Sequence, residues 1–133
     1  MIVIDTNIIG YLYLSSEHSI RVEAALLRDP EWCAPLLWRS ELRNVLAFYL
    51  RKNLLSLPEA QQIMEEAIQR LQGREYEIVS HQVLALAAES SCSAYDCEFV
   101  ALAQDLDVHL VTTDKQILTQ FPHIALSLEE FTG

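Results

Sequence analysis

Along this chain, short apolar runs alternate with longer stretches in which apolar residues recur at helical spacing. Ile2, Val3 and Ile4 are consecutive β-branched residues, the pattern of a strand covered on both faces. A short helix is expected from about Asn7 to Tyr13. Ser16 stands where it would cap a second helix, with Ile20, Ala24 and Leu27 at helical spacing and Pro30 to end it. Trp32, Cys33 and Ala34 read as a second strand. Leu37, Trp38, Leu42, Val45, Leu46, Tyr49 and Leu50 then trace the apolar stripe of a long helix, finishing at Arg51 and Lys52, whose charges suit its dipole. In SLPE, Ser56 and Glu59 have capping-box spacing and Pro58 suits a first turn, so another helix is expected to run to Gly73.

Tyr76, Ile78 and Val79 predict a third strand, and residues 82–90 a helix. Ser93 and Asp96 repeat the capping-box spacing before Phe99, Val100, Ala103 and Leu106. Leu110 and Val111, inside HLVTTD, predict a fourth strand. A helix with Ile117, Leu118 and Phe121 follows and stops at Pro122. Residues 124–126 suit a fifth, edge strand, and LSLEEF a last helical turn. Strands alternating with helices imply parallel pairing and right-handed crossovers. The expected class is α/β: a three-layer α/β/α domain around a mainly parallel sheet of four to five strands. With no repeat or linker, residues 1–133 read as a single domain.

Composition narrows the chemistry. The chain carries 9 Lys+Arg against 19 Asp+Glu, a formal charge of −10. That surplus argues against gripping nucleic acid by bulk positive charge. Either the partners are not polyanions, or some acids hold cations that meet phosphate on the protein's behalf. No stretch approaches the roughly 18 apolar residues of a membrane span, and the N-terminus MIVIDTN has no basic leader. Cys33, Cys92 and Cys97 include no C-x-x-C pair, so reduced thiols and a cytoplasmic location are expected.

In open parallel sheets ligands sit beyond the carboxyl ends of the strands. Asp5 ends the first strand and Asp114 the fourth, Glu41 lies in the first turns of the helix after the second, and Asp96 opens the helix leading into the fourth. Each has a plainer role available: Asp5 and Asp114 as helix caps, Asp96 as the partner of Ser93, and Glu41 as a solvated residue. Glu41, however, sits beside the apolar stripe, where an acid needs a partner. Four carboxylates within reach of one another repel unless a hard dication relieves them, which makes Mg²⁺ or Mn²⁺ the fitting ion. His18, His81, His109 and His123 are scattered, and no phosphate-cradling glycine motif is present. Thr6, Asn7, Asn44 and Thr112 are placed as supporting polar groups. Arg39, Arg43 and Lys115 are the candidate phosphate contacts.

The strings VIDTNIIGYL, APLLWRSELRNVLAFYL, SAYDCEFVALAQDL and HLVTTDKQIL, in this order and at these separations, resemble the PIN domain, particularly its compact VapC-type members. The resemblance runs from Ile2 to Phe131. It implies a ribonuclease dependent on Mg²⁺ or Mn²⁺, with catalytic acids at Asp5, Glu41, Asp96 and Asp114, the metal on Asp5, Asp96 and Asp114, and products bearing a 5′-phosphate. SSC before Ser93 departs from relatives that carry Gly and an apolar residue there. The resemblance further implies the toxin of a type II toxin–antitoxin module, with an RNA substrate, a cognate antitoxin and a homodimer. Apolar side chains from Ile20 to Leu27 and from Leu46 to Leu54 would receive an antitoxin helix. The alternatives are an acidic-pocket module binding a cation or basic peptide, and a PIN nuclease of RNA processing without an antitoxin. A receiver domain would need two acids at the end of the first strand, and a haloacid-dehalogenase-type phosphatase would need D-x-D where Asn7 stands.

Overall fold

The computed structural model describes residues 1–133. Its elements are β1 (Ile2–Ile4), α1 (Thr6–Tyr13), α2 (Ser19–Arg28), β2 (Trp32–Pro35), α3 (Leu37–Arg51), α4 (Leu57–Arg70), β3 (Glu75–Tyr76), α5 (Ser80–Glu89), α6 (Ala94–Leu106), β4 (Leu110–Thr112), α7 (Lys115–Gln120), β5 (Ala125–Ser127) and α8 (Leu128–Thr132). The strands form one sheet in the order β3-β2-β1-β4-β5. Every pairing is parallel.

β1 is paired on both edges, Val3 lying opposite Cys33 on one side and Leu110 on the other. All three of its residues are buried, which is what a run of Ile-Val-Ile demands. Helix α6 lies across β1, β2 and β4. Its buried residues are Cys97 and Phe99–Ala103. The result is the expected α/β/α architecture, with a hydrophobic cluster of 31 buried residues around the sheet. Strand order reverses between β1 and β4, so their carboxyl ends flank the crevice where such sheets bind ligands.

Five local expectations are corrected. Helix α2 begins at Ser19, because Ser16 instead accepts from the His18 N–H in the preceding turn and Ser19 Oγ accepts from the Ser16 N–H. Ile20 and Leu27 are 82% and 86% exposed, while Val22 and Ala25 face the core. Helical spacing alone does not say which of two apolar stripes turns inward. The third strand is confined to Glu75–Tyr76. β2 offers it only Ala34 and Pro35 before the chain turns into α3, so Ile78 and Val79 fall outside the ladder, with Val79 flanking α5. The fifth strand lies one residue later than expected, and the last helix starts at Leu128 rather than Leu126, because Ser127 caps α8 in a full capping box with Glu130. Of the predicted apolar receiving surface, Leu46 belongs to the core, whereas Leu54 and Phe48 are exposed.

Candidate active site

Asp5 directly follows β1 and caps α1, its Oδ1 accepting from the Ile8 N–H at 3.1 Å. The buried Thr112 hydroxyl donates to Oδ2 of the same carboxylate and also accepts the Asp114 N–H at 3.0 Å. One hydroxyl therefore ties the ends of β1 and β4 together. Asp114 caps α7, its Oδ1 accepting from Gln116 and Ile117 N–H at 2.9 and 3.1 Å, which leaves Oδ2 free of those bonds. Asp96 occupies the first turn of α6, where Ser93 accepts its N–H at 3.0 Å. Glu41 projects from α3, and Thr6 donates to its Oε1 at 2.7 Å.

These four acids share one cavity of about 230 Å³, whose wall also includes Thr6, Asn7, Asn44, Val45, Phe99 and Ile117. No Lys, Arg or His lines it. The ion pairs of the chain lie elsewhere: the N-terminal amine with Asp29, His18 with Glu17, and Arg39 with Glu75. Burial is the main cause that pushes Asp5 up to about 6, with smaller upward contributions from Asp114 and Asp96 and an opposing one from the Thr112 bond. Glu41 is raised by burial and then by Asp96, and Asp96 by burial and then by Asp114. The acids thus feel one another across the cavity with no cation to offset them.

Thr6, read in sequence as a group beside the acids, is the residue that fixes Glu41; the Asn44 amide lines the cavity without that bond. Arg43 and Lys115 are exposed and stand outside the cavity wall. Arg39 is occupied elsewhere. Its Nε and Nη2 both bond the Glu75 carboxylate at 2.6 Å, and Trp38 Nε1 donates to the same group at 2.7 Å. This bidentate pair fastens α3 to β3. Glu75 is held below the usual glutamate range by Arg39, and its side chain is only 12% exposed. Arg39→Ala is expected to cost about 2 kcal/mol in thermal or urea unfolding, since it strands a largely buried carboxylate but loses a partly solvated cation.

Sequence reading missed Glu98, a half-buried acid of α6 raised by burial and then by Glu41. It borders a different cavity, with Ile78, Ser80, Val83 and Leu84. Helical register two residues past Asp96 gave no signal of this, because Glu41 reaches it only through the tertiary fold.

No three acidic, histidine or cysteine side chains stand close enough to cage a cation by themselves. The donor set nevertheless fits a hard dication: it is all oxygen, anionic and uncompensated. Mg²⁺ takes only one or two carboxylates directly and keeps waters in its remaining positions, so a tight protein cage is not required.

The PIN domain family model matches residues 2–124. The chain belongs to the PIN domain family. Ribonuclease VapC3 of Pyrobaculum aerophilum is 32% identical to this PIN domain over 124 residues, covering 91% of this chain and 95% of the relative. Two solved structures share the fold at lower identity. A toxin–antitoxin complex from Klebsiella pneumoniae superposes with a TM-score of 0.72 at 18% identity, covering 96% of this chain and 98% of that one. FitAcB from Neisseria gonorrhoeae gives 0.73 at 19%, covering 97% and 99%. No helix of this PIN domain is long and apolar enough to cross a membrane.

Proposed function

We propose that this PIN domain is a divalent-metal-dependent ribonuclease and the toxin of a toxin–antitoxin pair. The observation that carries the reading is the convergence of Asp5, Glu41, Asp96 and Asp114 on one cavity that contains no cationic side chain. The relative named Ribonuclease VapC3 supports RNA as substrate, and the fold shared with the toxin–antitoxin complex supports an antitoxin partner.

Asp5, Asp96 and Asp114 would hold Mg²⁺ or Mn²⁺. When bound, the ion supplies an acidified water and positive charge for the leaving 3′ oxygen. Glu41, fixed by Thr6, would accept a hydrogen bond from an attacking water. Thr112 keeps the Asp5 carboxylate aimed while anchoring the Asp114 backbone. Asn44 offers its amide to a phosphate oxygen from the wall. Arg43 and Lys115, free of carboxylate partners, remain the proposed backbone contacts at the cavity's margin. The antitoxin would present a basic side chain to the acids. The toxin would work as a homodimer in the cytoplasm.

The test is cleavage of an RNA oligonucleotide with and without Mn²⁺, combined with thermal unfolding. Cutting that EDTA stops is expected; Mn²⁺ stabilisation with no cutting would give the cavity to simple cation binding. The pH dependence has a definite sign. Asp5 is raised from 3.8 to about 6 on folding, so the folded state binds the proton more tightly. That contribution to stability is complete below pH 3.8 and is lost as pH rises through about 6. Glu41 and Asp96 shift in the same direction. In EDTA, these groups are expected to make the protein more stable near pH 5 than at pH 7.5. Mn²⁺ should reverse the order, because the cation binds the ionised carboxylates. A melting temperature equally raised by Mn²⁺ at both pH values would count against the assignment.

A further inference from the structure

A second cavity, of about 160 Å³, adjoins the acidic one and shares Thr6, Asn7 and Val45 with it. Beyond those residues its wall is formed by Gly10 and Tyr11 of α1, Leu14 and Ser16 beyond it, and Tyr49 of α3. Resting on the nuclease reading, we infer that this cavity receives an unpaired nucleobase of the RNA strand whose phosphate lies at the four acids.

Three features point to a base. First, the two half-buried tyrosines face a shared space, and Tyr11 is backed by the His18 ring with centroids 4.6 Å apart. A buttressed phenol ring is a stacking platform. Second, Asn7 sits at the junction of the two cavities, and the side-chain hydrogen bonds of this segment run through Asp5, Thr6 and Tyr13 instead. Its amide has a donor and an acceptor available for a base edge. Third, Gly10 lies inside α1, where glycine is less favourable than alanine, yet a Cβ there would meet nothing within 4 Å. Packing does not explain the missing side chain, and Gly10 lines the cavity.

Charge favours such a subsite. The chain carries −10 formal charge, no cation lines either cavity, and Arg39 is bound to Glu75. With only Arg43 and Lys115 at the margin to meet phosphate, a polyanion held here gains a limited part of its affinity from phosphate neutralisation, and base contacts and the metal supply the rest. Stacking in a pocket requires a splayed base, which selects single-stranded or looped RNA over duplex.

Gly10→Met tests this without touching the acids. Its backbone is outside the positive-φ region where only glycine is at ease, and methionine favours helix, so the fold and the Mn²⁺-induced rise in melting temperature should persist. Cleavage and fluorescence anisotropy are read on the same labelled single-stranded and duplex RNA in Mn²⁺. The expected result is a KM and Kd for the single strand raised about tenfold or more, kcat within about twofold, and a shallow dependence of wild-type Kd on salt. Tyr49→Phe, which keeps the ring, should bind like wild type, whereas Tyr49→Leu should resemble Gly10→Met. Unchanged KM and Kd in Gly10→Met, preference for duplex, or a steep salt dependence would each overturn the inference and leave the cavity to a protein partner. Failure of the nuclease reading is separate: it would show as wild-type binding of single strands, weakened by Gly10→Met, with no cutting.

Discussion

Asp5→Asn is expected to lower Mn²⁺-stimulated RNA cleavage by at least about a hundredfold while making the metal-free protein more stable at pH 7. The two effects have one cause. Asp5 is 7% exposed and has no cationic partner, so its charge is held in the fold at a cost that a cation would relieve. Displacement of its pKa from 3.8 to about 6 corresponds to at most about 3 kcal/mol at neutral pH. Asparagine keeps the capping oxygen for the Ile8 N–H, and the Thr112 hydroxyl has lone pairs for both the new amide and the Asp114 N–H, but its own hydrogen loses the Asp5 acceptor, which offsets part of the gain. Urea unfolding in EDTA should show the gain at pH 7, and it should vanish near pH 4, where wild-type Asp5 is itself protonated. Full cleavage by the variant would remove Asp5 from the metal set.

Thr112→Val is expected to be the most damaging change that alters no charge. Thr112 is fully buried, donates to Asp5 and accepts from the Asp114 backbone. Valine fills the same space but strands an acceptor and a donor, a loss of about 2–3 kcal/mol. Because the hydroxyl bond lowers the pKa of Asp5, its removal should move the acidic limb of the pH–rate profile to higher pH. Thr112→Ser, which retains the hydroxyl, should restore the profile and lose about 1 kcal/mol for the missing methyl. If Val and Ser variants shared the wild-type profile, Thr112 would be a packing residue only.

Much of this architecture is readable from local pattern because its causes are local. β1 is a β-branched run, α4 opens with a reciprocal box between Ser56 and Glu59, and Pro30 and Pro122 stand where helices have ended. The inward face of α2 was not readable, since Ile20, Ala24 and Leu27 and the pair Val22 and Ala25 both fit helical spacing. The packing of α1 and α8 on α2, which the chain order does not reveal, selects between them. The fate of Arg39 was equally hidden. An i,i+4 pair of arginines on one helix looks like a phosphate grip until Glu75, 36 residues away, takes one of them.

The sequence by itself determined the alternation of strands and helices and put acids just after β1 and β4 and in the first turns of α3 and α6, because strand runs, caps and turns are set by neighbours along the chain. The tertiary structure decided which side chains share a space: the placement of β4 beside β1 lets Thr112 join Asp5 to Asp114, and the seating of α3 puts Glu41 on Thr6. Burial, mutual repulsion and the absence of a nearby cation are properties of that shared space, since electrostatic energy depends on distance and dielectric rather than on order in the chain.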